Sequence, residues 1–104
     1  MALSAAEKKH FRGIGHHLKP IIQIGGNGLS EALLAELDRA LEEHELIKVK
    51  VHAEDRDSRR AVIDALPATV GCELVNTIGN IALIYRAAKR QNQKLSNLVR
   101  FAAK

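Results

Sequence analysis

The sequence predicts an α/β two-layer sandwich, a small mixed sheet with helices packed on it, in the order α-β-α-β-α-β-β. Three observations carry this reading. Residues 46–52 alternate: Ile47, Val49 and Val51 point one way, and Lys48, Lys50 and His52 the other. Period two with β-branched residues marks a strand with one wet face. Residues 20–44 run from a short apolar stretch through a Gly-rich turn into an amphipathic helix, the opening of a strand–helix–strand unit. Two apolar runs, 72–78 and 81–86, are joined by Gly79-Asn80, a hairpin link because both residues tolerate positive φ. Strand–helix–strand units need right-handed crossovers, so their helices share one side of the sheet.

Each element has its own local cause. Ser4-Ala5-Ala6-Glu7 matches the capping box, so a first helix begins at Ala5 and should end near Gly15. Phe11, Ile14 and Leu18 form its apolar stripe. Pro20 is tolerated at the head of a strand over Ile21–Ile24. Ser30 caps the second helix, whose stripe is Leu33, Leu34, Leu37, Ala40 and Leu41, with acids facing water. A third helix carries Val62, Ile63 and Leu66. Pro67 removes a hydrogen bond to the Ile63 carbonyl and clashes with it, which predicts a kink or an early end. The division expected is a folded domain over 1–87 and a basic tail over 88–104. That tail either forms a short helix through Leu95, Leu98, Val99 and Phe101 or stays mobile, burying little.

A chain of 104 residues can build one modest core. It contains no run of the roughly 20 apolar residues that cross a bilayer. The start, MALSAAEKKHFRG, lacks a secretory apolar core, and the single Cys72 leaves no internal disulfide; both fit a cytoplasmic protein with no membrane contact. Cys72 reads as a buried thiol. The net charge is +4, and its distribution is more telling. All twelve acids lie between Glu7 and Glu73, while 74–104 holds Arg86, Lys89, Arg90, Lys94, Arg100 and Lys104 with no acid. Residues 8–30 are likewise basic. Segregated charge of this kind sets up a field that attracts polyanions.

Catalytic and metal chemistries lack their constellations. After Gly25-Gly26-Asn27-Gly28 come Leu29-Ser30, where a nucleotide-binding P-loop needs Lys-Ser/Thr. Gly13-x-Gly15 is followed by Leu18 where a dinucleotide fingerprint needs Gly or Ala. The five histidines do not have zinc-ligand spacing, and His44 reads as a complement to a helix dipole. The carboxylates fall on solvated helix faces. No enzyme, metal or cofactor is expected. The GGNG turn itself has no bulky side chain and opens on a helix N-terminus, a seat for an anion. Three aromatics cannot build a platform for successive stacked bases, so any RNA contact should rest on backbone, phosphate and shape.

Three segments, HHLKPIIQIGGNGL, EALLAELDRALEEHELIKVKV and IGNIALIYR, resemble the CRM domain in its bacterial stand-alone YhbY-like form. The resemblance spans about residues 4–87. It implies a fold similar to the C-terminal domain of the third bacterial translation initiation factor, and a GxxG turn likened to that of KH domains, which clamp a nucleic-acid backbone. It also implies RNA binding, to ribosomal RNA in precursors of the large ribosomal subunit. Carried onto this sequence, the turn is Gly25, Gly26, Asn27 and Gly28. Lys8, Lys9, Arg12, His16 and Lys19 supply flanking charge. Lys48, Lys50 and Arg86 make a second patch if their strands neighbour one another with those faces aligned, and Lys89 and Arg90 belong to a tail whose role rests on charge alone. The expected protein is a monomeric, non-enzymatic RNA-binding assembly factor. The alternative is a module that docks on a ribosomal protein through its acidic second helix.

Overall fold

A computed structural model describes residues 3–102. Helix α1 (Ala5–Gly15) begins where expected: the Ser4 side chain accepts from the Glu7 N–H at 3.1 Å, and the Glu7 carboxylate accepts from the Ser4 N–H at 3.0 Å. Strand β1 (Pro20–Ile24) leads through the GGNG turn to α2 (Glu31–His44), capped by Ser30. Then follow β2 (Leu46–Val51), α3 (Arg56–Val70), β3 (Glu73–Ile78), β4 (Ile81–Tyr85) and a one-turn α4 (Asn97–Arg100).

The four strands lie in the order β1-β2-β4-β3, with β1 parallel to β2 and both other pairs antiparallel. The sheet is therefore mixed, as expected, and the two crossover helices pack on one face. Ile22, Ile24, Val49, Val51, Ala82 and Ile84 meet Leu37, Leu41, Ile63 and Leu66 there in the main core. Cys72 lies in the same core, and burial pushes its thiol up to about 11, so it stays protonated and inert.

The opposite face is wet over only part of its area. The stripe of α1 needs a surface to cover it, and Phe11 and Ile14 find one on Leu46, Val75 and Leu83 in a second, smaller core. Gly15 makes that approach possible, since a Cβ there would stand 2.8 Å from a Leu83 methyl. Leu98 and Phe101 pack against the same cluster.

Pro67 does not end α3 early. The helix runs on to Val70 and closes on Gly71 in the left-handed conformation, with the Gly71 and Cys72 N–H groups both donating to the Pro67 carbonyl. Buried Ile63 and Leu66 anchor the turn that holds the proline, and only a few residues follow it. The segment after β4 folds back and takes the helical alternative. Ser96 and Asn97 are buried, against the expectation that the tail buries little. Lys104 lies outside the described residues. No described helix is long and apolar enough to cross a membrane.

Candidate nucleic-acid interface

The GGNG turn stands at the end of β1. The Gly28 N–H donates to the Gly25 carbonyl at 2.9 Å, and Gly28 holds φ at 59°. The fold therefore requires glycine at 28. Gly25 and Gly26 are different: neither has a positive φ, and nothing lies within 4 Å of the place a Cβ would occupy. The chain's own packing would accept side chains at both. Gly25, Gly26 and Asn27 are exposed, three residues or more ahead of the α2 N-terminus.

Strand register sets what stands beside the turn. Gln23 pairs with Lys50, and both point to the face opposite the main core. The His52 N–H donates to the Ile24 carbonyl at 2.8 Å, and the Val51 N–H to the Asn80 carbonyl at 2.7 Å. The GGNG turn, the end of β2 and the Gly79-Asn80 turn thus share one end of the sheet. His52 Nε2 and Gln23 Oε1 meet at 2.8 Å, bracing that end.

Lys48 and Lys50 lie two residues apart on the same face of β2, each half-buried along its stem. Arg12 and His16, from the last turn of α1 and the residue capping it, overlook Lys48 across a hollow of about 150 Å³. On the other side of Lys48, a second hollow of about 200 Å³ is bordered by Lys19, His17 and Arg100. The structure therefore brings Arg12, His16, Lys19, Lys48 and Lys50 onto one continuous surface. Lys9 is exposed and Lys8 half-buried on α1.

Arg86 does not join the two lysines. It follows Ile84 at strand spacing and so turns to the main-core side, where its guanidinium bonds the Asp38 carboxylate at 2.8 Å. Further bonds reach the Val70 and Asp38 carbonyls at 3.1 and 3.0 Å. It ties α2, α3 and β4 together. Lys89 and Arg90 have exposed side chains, but their backbone N–H groups are held by the Glu42 carboxylate at 3.1 and 3.2 Å.

Three features were not foreseen. Arg56, Arg59 and Arg60 border a hollow with Thr77 and Gly79 at the same end as the GGNG turn. Their i, i+3, i+4 spacing on a helix was the available signal, masked by the acids around them. Arg100 joins Lys19 only because the tail folds back. Asn76 borders the first hollow because β3 shifts register between Leu74 and Asn76, and no sequence pattern announces such a bulge.

A family model described as the CRS1/YhbY (CRM) domain matches residues 3–86. A Pseudomonas aeruginosa protein named "Probable RNA-binding protein" is 53% identical over 102 residues, 98% of each chain. A Haemophilus influenzae protein named "RNA-binding protein" is 42% identical over 93 residues, covering 89% of this chain and 94% of the relative. The solution structure of a hypothetical Staphylococcus aureus protein, described as a candidate RNA-binding protein, superposes with a TM-score of 0.73 at 34% identity. That match covers 90% of this chain and 97% of the other.

Proposed function

The chain belongs to the CRS1/YhbY (CRM) domain family, and on that premise we propose that it is a non-enzymatic, monomeric RNA-binding protein of the cytoplasm. Its target is ribosomal RNA in precursors of the large ribosomal subunit, whose assembly it assists. The GGNG turn receives backbone phosphates, and Arg12, His16, Lys19, Lys48 and Lys50 carry the strand onward across the sheet. Exposed Lys9, Lys89 and Arg90 and half-buried Lys8 add long-range attraction.

One observation supports this more than any other. Gly25 and Gly26 have no positive φ and open space where a Cβ would stand, so the fold leaves this stretch of backbone bare to a partner. A polyanion lying against that bare backbone, with Lys50 two strand positions away, uses the bareness directly. The docking alternative through α2 loses ground, because Asp38 and Glu42 on that helix are already engaged by Arg86 and by the tail backbone.

Binding to purified large-subunit ribosomal RNA tests the reading. With about four to six phosphates neutralised, log K against log salt should fall by roughly 0.7 to 0.9 per contact. A flat dependence refutes it. Crosslinking in cells, followed by sequencing of the attached RNA, should recover large-subunit ribosomal RNA; recovery of unrelated transcripts alone refutes the assembly role.

A further inference from the structure

The hollow between α1 and the sheet has a feature that phosphate contacts do not use. Its floor is aliphatic, formed by Ile78, Ile81 and Leu83, while Arg12, His16, Lys48 and Asn76 border it. Ile78 is 66% exposed, which makes it a large apolar side chain left facing water at a strand end. The hollow, about 150 Å³ and open to solvent on one side, has room for a planar ring system. No carboxylate borders it, so an anionic chain can enter unopposed.

The molecule's aromatic rings are already committed. Phe11 packs on Tyr85 with centroids 4.7 Å apart, and Phe101 stacks on His17 at 5.7 Å. An aliphatic floor beside cationic, planar groups offers a base an apolar surface of another kind. Guanidinium and imidazole planes both stack on bases, and an amide offers a base edge one donor and one acceptor.

We propose that this hollow seats one unpaired purine base of the bound RNA. The base lies on Ile78 and Ile81 beneath Arg12 or His16, its edge meets Asn76, and its phosphate meets Lys48. Two fused rings bury more of the aliphatic floor than a single ring does, which favours a purine. The proposal deepens the RNA-binding reading and rests on it: phosphates position the chain, and this subsite supplies base recognition.

Two experiments separate the two claims. The first is a nuclear magnetic resonance titration of the intact protein, following the Ile78 and Ile81 methyls and the Asn76 amide. Adenosine and guanosine monophosphates should shift these signals saturably, while ribose 5-phosphate should leave the methyls unmoved. Cytidine monophosphate should bind at least about threefold more weakly. Equal responses to ribose 5-phosphate and the purine nucleotides, or equal affinity for cytidine monophosphate, would overturn the proposal.

The second uses Ile78→Ser, an exposed position whose change spares the cores, on a hairpin RNA with one unpaired adenosine and on its fully paired counterpart. The variant should bind the bulged RNA about three- to tenfold more weakly with an unchanged salt slope, because a base contact releases no counterions. Its affinity for the paired RNA should equal that of the wild type. Asn76→Ala should behave likewise. If wild-type binding is steep in salt but both variants match it on both RNAs, this inference fails and the RNA-binding reading stands. If the wild type binds neither RNA in a salt-dependent way, the broader reading fails first.

Discussion

At the start of β2, Glu45 is 3% exposed, and its carboxylate accepts from Ala88 N at 2.8 Å and from Gln91 Nε2 and Ser96 Oγ at 2.6 Å each. Beside it, Asn97 Nδ2 donates to the Leu46 carbonyl at 2.6 Å, and His44 Nδ1 lies 3.0 Å from the Leu95 carbonyl, which accepts its proton. Farther along the strand, Lys48 and Lys50 share their face with Arg12, His16 and the way to the bare GGNG backbone. One region closes its polar groups on one another; the other presents them to solvent. The same strand thus carries a knot that holds the fold and a surface that can accept a partner. Residue type does not decide which role a polar group takes: Arg86, on the other face of the sheet, is tied to Asp38, whereas Lys48 borders open hollows. What decides it is whether the chain itself supplies the partner.

The knot should respond most strongly. Glu45→Ala orphans the buried Ser96 hydroxyl, strips the part-buried bonds from Ala88 and Gln91 and undocks the segment from Ala88 onward, an expected loss of about 2–4 kcal/mol in urea unfolding. Hydrogen exchange should show residues 88–101 losing protection first. Glu45 also sits at φ 62°, a conformation that costs a non-glycine residue of order 1 kcal/mol or more. Glu45→Gly should therefore be milder than Glu45→Ala by up to ~1 kcal/mol; equal losses would mean that the backbone there is unstrained.

Acid should attack the same knot. Burial raises the Glu45 carboxyl, but the bonds from Ser96, Ala88 and Gln91 outweigh it and hold the group below its ordinary 4.5. A carboxylate with a depressed folded value contributes stability that is fully present above the unfolded value and is lost as pH falls through the folded one. Stability should therefore decline below about pH 4.5. Glu7 and Asp55, also lowered by their capping bonds, act in the same direction. In Glu45→Gln the decline should be shallower; an unchanged slope would place the acid sensitivity elsewhere.

A matched pair of cations sharpens the contrast. Arg86→Ala removes bonds to Asp38 and to two carbonyls, and should cost about 1–2 kcal/mol while leaving the salt slope of RNA binding untouched. Lys48→Gln should do the reverse: stability within about 0.5 kcal/mol of wild type, and a salt slope shallower by about one contact. Exchange of these two outcomes would invert the roles assigned to the two cations.

Much of this fold was legible because its causes are local. The capping box at Ser4, the alternation over 46–51 and the Gly79-Asn80 link each specify an element within a few residues. The partner of the α1 stripe was not legible, since burial on Leu46, Val75 and Leu83 is a tertiary choice. Nor was the knot: Glu45 reads as one more acid at a helix end, and its donors lie more than 40 residues later in the chain. The site was legible in the same uneven way. Glycines and strand-face lysines announce themselves, whereas the hollow floored by Ile78 and Ile81 exists only after β3, β4 and α1 meet. Pro67 shows the converse, a strong local signal overruled by a well-packed turn and a glycine close after it.

Asn27→Asp, which should cost no stability, tests the open region most directly. The two side chains are nearly isosteric, and Asn27 does not hold a positive φ, so the turn accepts either. A carboxylate just ahead of the α2 N-terminus leaves stability unchanged or raises it by up to ~1 kcal/mol through the helix dipole. Against a bound phosphate, the same charge is repulsive by about 1 kcal/mol or more in a partly desolvated contact, a several-fold loss of affinity. The expected result is a split: a melting temperature held or raised, with weaker RNA binding that high salt partly equalises by screening. Wild-type affinity at every salt concentration, with stability intact, would remove the turn from the interface. Gly25 and Gly26 would then be bare for a reason unconnected with phosphate, and the contact surface would shrink to the sheet face around Lys48.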